Sequence, residues 1–134
     1  MRRVGNDPGL RDDPIVGVTV VIVDDHAGFR AMARTMLEDA GFAVVGEAAD
    51  GEAALAAVWS LRPRLVLLDV QLPDLDGFAV AQRLADAGGE ETVVLTSSRS
   101  AADYGSRLVR SPARGFITKA DLSGPALARM VGAV

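Results

Sequence analysis

The sequence predicts an open α/β fold: a parallel five-stranded sheet with helices on both faces. Three observations carry that expectation. Five short β-rich runs recur along the 134 residues, with starts 25, 22, 27 and 23 residues apart. Three of those runs are almost continuously apolar rather than alternating, as expected of strands buried on both faces. The segments between them carry apolar residues at helical spacing, so strand and helix alternate as in repeated βαβ units with right-handed crossovers. A closed eightfold barrel needs about 250 residues and is excluded by length. A leucine-rich solenoid has a similar period, but no LxxLxL pattern recurs.

Taken in order, residues Met1 to Val16 are polar and broken by Gly5, Pro8, Gly9 and Pro14, which reads as a disordered leader, with the ordered domain spanning 17–134. The first strand is expected at Val18–Val23. A helix over Ala27–Ala40 places Phe29, Ala33, Met36 and Leu37 on one stripe and stops at Gly41. The second strand is Ala43–Ala48. The second helix, Gly51–Arg62, starts after Asp50 as a plausible N-cap and is stopped by Pro63. Leu65–Asp69 is the third strand and Phe78–Ala87 the third helix, closed by Gly88-Gly89. Thr92–Thr96 is the fourth strand. A fourth helix at about Ala101–Ser111 is thin on its apolar face and interrupted by Gly105. Gly115–Thr118 is the fifth strand, and a short last helix runs from about Leu122 to Val134.

Composition narrows the function. Hydrophobic residues make up 49% and charged residues 24%, ordinary globular usage that argues against a disordered chain. The formal net charge of −4 argues against sequence-independent nucleic-acid binding, which needs a basic face. Cysteine is absent, which removes disulfides, zinc–thiolate sites and thiol nucleophiles. No apolar run approaches the roughly 20 residues that span a bilayer, and no secretory signal is visible, so a cytoplasmic location is expected.

In a doubly wound sheet, ligands bind beyond the carboxyl ends of the strands. Strand one here ends in Asp24-Asp25, strand three in Asp69, strand four in Thr96-Ser97-Ser98 and strand five in Thr118-Lys119. Each residue alone has an ordinary reading: an aspartate as a helix N-cap, a lysine as a surface charge, a threonine as a strand former. Asp25 in particular could cap the first helix. Together they describe a pocket. Three converging carboxylates repel one another, and a hard divalent cation such as Mg²⁺, held by oxygen ligands, resolves that conflict. With Lys119 opposite, positive charge flanks the oxygens of a transferring phosphoryl group, Thr96 can donate to them, and Asp69 is the natural nucleophile.

These residues carry a family resemblance. VVIVDDH (Val20–His26), LVLLDVQLPDLDGF (Leu65–Phe78), VVLTSS (Val93–Ser98) and GFITK (Gly115–Lys119) are similar to the receiver domain of two-component response regulators. The resemblance covers about Val18 to Val131. It implies a flavodoxin-like doubly wound (βα)5 sandwich with strand order 2-1-3-4-5. It implies Asp69 as phosphoacceptor and Lys119 as the lysine that pairs with the phosphoryl group. Asp24, Asp25, Asp69 and the backbone carbonyl of Gln71 would hold Mg²⁺. Thr96 would be the switch hydroxyl and Phe116 the switch aromatic. Pro73 and Gly77 fit the tight loop after the acceptor. A sensor histidine kinase would be the phosphoryl donor. The face of the fourth helix, fifth strand and fifth helix would repack in response. Such a protein catalyses only its own phosphoryl transfer and dephosphorylation, so it is not expected to be an enzyme.

Some positions depart from the usual pattern. Ala120 follows Lys119 where many receivers have proline. Together with the DDH start, this is more similar to the subfamily that often carries a helix-turn-helix output domain and regulates transcription. The resemblance fits both a stand-alone receiver and a piece of a longer regulator, and it admits a homodimer as partner. Phe116 lacks the hydroxyl of the commoner tyrosine. His26 reads as a helix-start residue, Trp59 as packing of the second helix, and Arg99 and Arg107 as solvated charges. Two other functions remain alternatives. One is a receiver-fold interaction module that works without phosphorylation, whose mark would be loss of an acceptor, acidic-pair or lysine residue; none is lost. The other is a metal-dependent phosphohydrolase, which generally places a general acid two residues after the nucleophile, where this chain has Gln71.

Overall fold

A computed structural model of the chain describes residues 15–131. The strands are β1 (Thr19–Val23), β2 (Ala43–Ala48), β3 (Leu65–Asp69), β4 (Thr92–Ser97) and β5 (Gly115–Thr118). The helices are α1 (Ala27–Asp39), α2 (Gly51–Leu61), α3 (Gly77–Asp86), α4 (Ala101–Tyr104), α5 (Ser106–Arg110) and α6 (Gly124–Val131), with a 3-10 turn over Lys119–Asp121. The strands form one parallel sheet in the order β2-β1-β3-β4-β5, as the resemblance implies.

Alternation along the strands explains the two layers of core. Val21 and Val23 of β1, Val66 and Leu68 of β3 and Val93 and Leu95 of β4 face one side, against Leu55 and Val58 of α2 and Val80 and Leu84 of α3. Val20, Ile22, Leu65, Leu67 and Val94 face the other, against Ala33 and Leu37 of α1 and Leu127 and Val131 of α6. All of these side chains are at least nine-tenths buried. Continuous apolar runs are therefore required on the inner strands, because every residue there meets a helix.

Three expectations need correction. The leader was placed over 1–16, but Ile15 is 5% exposed and belongs to the α1–α6 core, and Gly17 N–H donates to Gly41 O at 2.9 Å. Residues 1–14 lie outside the described residues. The fourth helix is two short helices, because Gly105 adopts φ 56°, ψ −129°, which no helix accommodates. The last helix begins at Gly124 after a 3-10 turn, and 132–134 lie outside the described residues.

Helix starts follow ordinary chemistry where side chains permit it. Asp50 caps α2 by accepting from Ala53 N–H at 2.8 Å, and Asp76 caps α3 by accepting from Ala79 N–H at 2.9 Å. Asp25 does not cap α1. His26 holds that position without a side-chain capping bond.

Candidate functional site

β1 and β3 are neighbours, so their ends deliver carboxylates to one point. Asp24 follows β1 and is fully buried, and Asp69 closes β3 with 2% exposure. Asp69 is in register with Thr96 of β4, and Ser97 with Thr118 of β5, so Lys119 enters from the next strand over. Lys119 Nζ lies 2.6 Å from Asp24 Oδ2, an ion pair that lacks hydrogen-bond alignment, and 3.4 Å from Asp69 Oδ2. Its ammonium also sits 4.5 Å from the centre of the Phe29 ring, which holds the charge over the site from the α1 side.

The charge states follow from this packing. Burial and then the Asp24 charge push the Asp69 carboxyl up to about 6, against the pull of Gln71 N–H and Lys119. Burial also opposes ionisation of Asp24, but Lys119 and the His26 N–H more than offset it and hold that carboxyl below the usual range. Burial opposes protonation of Lys119 too, yet its two carboxylate partners raise its affinity for the proton. One ammonium thus faces two buried acids, and the excess negative charge resides on Asp69.

Asp25 stands at the rim with its side chain 37% exposed. His26 Nδ1 is 3.1 Å from both Asp24 Oδ1 and Asp25 Oδ1, so the histidine does mark the helix start beside the acidic pair. Atoms of Asp24, Asp25, His26 and Asp69 lie within 4.8 Å of one another. This donor set, mostly carboxylate oxygen with uncompensated charge on Asp69, fits a hard divalent cation such as Mg²⁺. Gln71 N–H donates to Asp69 Oδ1 at 3.2 Å, which brings the Gln71 peptide to the same point. Thr96 Oγ1 is buried without a hydrogen-bond partner, an unmet polar group on the residue in register with Asp69.

The loop after β3 is fixed by close backbone approach. Gly77 N–H donates to Val70 O at 2.7 Å, and a Cβ on Gly77 would lie 2.5 Å from Asp69 O, so only glycine fits. Asp74 accepts from Gly51 and Glu52 N–H at 2.7 and 2.9 Å and ties this loop to the start of α2.

Several contributors had no visible signal in the sequence. Arg30 donates to the Asp24 carbonyl at 2.6 Å and to Glu47 Oε1 at 3.0 Å, which anchors the end of β1 to α1 and β2. Phe29 was placed only on a core stripe. Arg107 is not a free solvated charge: it pairs with Asp76 at 2.7 Å and stacks 4.2 Å over Phe78. Trp59, expected to pack α2, is 52% exposed and lines a groove with Arg62, Pro63 and Gly88. Arg99 is exposed, as expected. Phe116 is half-buried and packs edge-on against Tyr104.

Comparison with known proteins agrees with this geometry. Residues 20–128 match the response regulator receiver domain family. The chain is 35% identical over 100 residues to the transcription regulator BvgA of Bordetella pertussis, covering 75% of this chain and 48% of that protein. It is 34% identical over 118 residues to the response regulator GacA of Pseudomonas viridiflava, covering 87% and 53%. The chain thus spans about half the length of the curated relatives it matches. Among solved structures, the signal receiver domain of the response regulator NarL from Mycobacterium tuberculosis superposes with a TM-score of 0.80 at 30% identity, covering 87% of this chain and 98% of that one. Among the described residues, no helix is long and apolar enough to cross a membrane. Fold, strand-end chemistry and relatives converge, and the chain belongs to the receiver domains of two-component response regulators, whose common function is phosphorylation-based switching.

Proposed function

We propose that Asp69 is the phosphoacceptor, with a sensor histidine kinase as donor. The observation that carries this reading is the buried meeting of Asp24, Asp69 and Lys119 beside the partnerless hydroxyl of Thr96. An ionised Asp69 oxygen attacks the phosphorus of a phosphohistidine. A P–O bond forms, the P–N bond breaks, and the imidazole departs. Asp24, Asp25, Asp69 and the Gln71 carbonyl are the residues that would hold Mg²⁺, which when bound supplies positive charge to the phosphoryl oxygens. Lys119, 3.4 Å from Asp69 and part-shielded from water, neutralises charge on the opposite side. Thr96 donates its free hydroxyl to the new phosphoryl group, and Phe116 follows into the space it leaves. The face made of α4, α5, β5 and α6 repacks as the output. Receiver domains are not enzymes in the ordinary sense, and this chain would be phosphorylated once per cycle rather than turn over a pool of substrate. As in BvgA, named a transcription regulator, the output would be control of transcription by a separate domain.

Acetyl phosphate with Mg²⁺ should add one phosphoryl group, about 80 Da by intact mass, as aspartyl phosphate chemistry requires. Asp69→Asn should abolish the gain, and chelation should prevent it. A wild-type protein that stays unmodified would leave the interaction-module alternative in its place.

A further inference from the structure

Tyr104 is the single tyrosine of the chain, and neither the charge site nor the sequence motifs account for it. Its hydroxyl lies 2.7 Å from Ser97 Oγ. Ser97 is fully buried, ends β4 and directly follows Thr96; its Oγ also accepts from Arg99 N–H at 3.0 Å. The Tyr104 ring stands edge-on between two others: Phe78 of α3 at 5.6 Å and Phe116 of β5 at 5.8 Å. One side chain therefore touches α3, β4 and β5. Neither α4 nor α5 has a buried residue, so half-buried Tyr104 and Leu108, with Arg107 stacked on Phe78 and paired with Asp76, are what attach this segment to the rest of the domain. Immediately after Tyr104 comes Gly105, whose backbone conformation L side chains rarely adopt and where the two helices part.

We propose that Tyr104 is the latch of the switch: bonded to Ser97 it holds α4 in the resting arrangement, and it supplies through the fourth helix the hydroxyl that Phe116 lacks. This rests on the reading of Asp69 as acceptor. Thr96 and Ser97 share a peptide unit, and their side chains leave the strand on opposite sides. When Thr96 is drawn toward a phosphoryl group, the end of β4 shifts with it. Hydrogen bonds weaken steeply as they misalign, so the Ser97–Tyr104 bond is the one lost. The phenol then bonds water, its ring leaves Phe116 free to move, and α4 turns against α5 at Gly105.

Because there is one tyrosine, the ultraviolet resonance Raman bands of its ring, resolved from those of the single tryptophan, report this hydroxyl. Wild-type protein treated with acetyl phosphate and Mg²⁺ should gain one phosphoryl by mass. Its tyrosine signal should move to the water-bonded form, and amides of residues 98–111 should exchange with deuterium about fivefold faster, as for loss of one hydrogen bond. Untreated Tyr104→Phe and Ser97→Ala should show the faster exchange already, while still gaining the phosphoryl group. A phosphorylated protein with an unchanged tyrosine signal overturns the latch, as do untreated variants that exchange at the wild-type rate. No mass gain in wild type overturns the Asp69 assignment and the coupling to it, while the untreated variants still report whether the hydroxyl holds the segment.

Discussion

β3 and β5 both end in residues of one site, but they are held very differently. β3 lies between β1 and β4, pairs on both sides and buries all five of its residues, Asp69 included. β5 is an edge strand, pairs only with β4 and buries only Ile117 of its four residues. The helical segment that leads into it, α4 and α5, is split and has no buried residue. The Asp69 carboxylate is thus fixed to a strand buried along its whole length, and the Phe116 ring sits on an edge strand with a single buried residue. A local charge change at Asp69 cannot move β3 cheaply, so any rearrangement falls on β5 and on the helices beside it.

The contrast can be tested by matched core deletions. Leu67→Ala, at a fully buried position of β3, should cost about 2–5 kcal/mol in denaturant unfolding, whereas Leu108→Ala in half-buried α5 should cost about 1 kcal/mol or less. Equal costs would erase the distinction between the two regions. Next in size is the charge at the anchored end. Removing one of two buried, mutually repelling carboxylates should make metal-free Asp69→Asn more stable than wild type at pH 7, by on the order of 2 kcal/mol. The sign follows from the raised carboxyl of Asp69: its contribution to stability is present below about pH 4 and lost as pH rises through about 6. Thermal melts of the two proteins should therefore converge between pH 7 and 4.5. Asp24, shifted the other way, loses its contribution only below that range. Adding Mg²⁺ should raise the melting temperature of wild type and leave the variant nearly unmoved.

At the responding end the expected effects are smaller. Gly105→Ala meets open space but a strained backbone, so it should cost about 1–2 kcal/mol, read as faster amide exchange confined to residues 98–111. A global loss of protection would mean that this segment is part of the common core after all. Arg107→Ala removes a half-exposed ion pair and a stack on Phe78, and should cost under about 1 kcal/mol by chemical denaturation.

β2, β3 and β5 begin and end where their apolar runs do, β4 extends one residue to Ser97, and β1 starts one residue late, at Thr19. Asp24, Asp69, Thr96 and Lys119 were legible because strand ends in a parallel sheet share one side, and the structure brings all four together. The split of the fourth helix was half legible, since Gly105 was visible as a break but its φ and ψ were not. Trp59 was misread because helical spacing says that a residue lies near a stripe, not whether a neighbouring helix reaches it. Arg30, bonded to the Asp24 carbonyl and to Glu47, and Tyr104, bonded to Ser97, act through contacts between elements, and a lone arginine or tyrosine carries no spacing to betray that.

Ile15 has a practical consequence. Its side chain fills the layer between α1 and α6 ahead of the first hydrogen-bonded strand residue. A chain trimmed to begin at Gly17, where regular pairing suggests the fold starts, would leave a hole the size of an isoleucine in the core layer that also holds Phe42 and Val18, and its lowered stability would be mistaken for an intrinsic property of the domain.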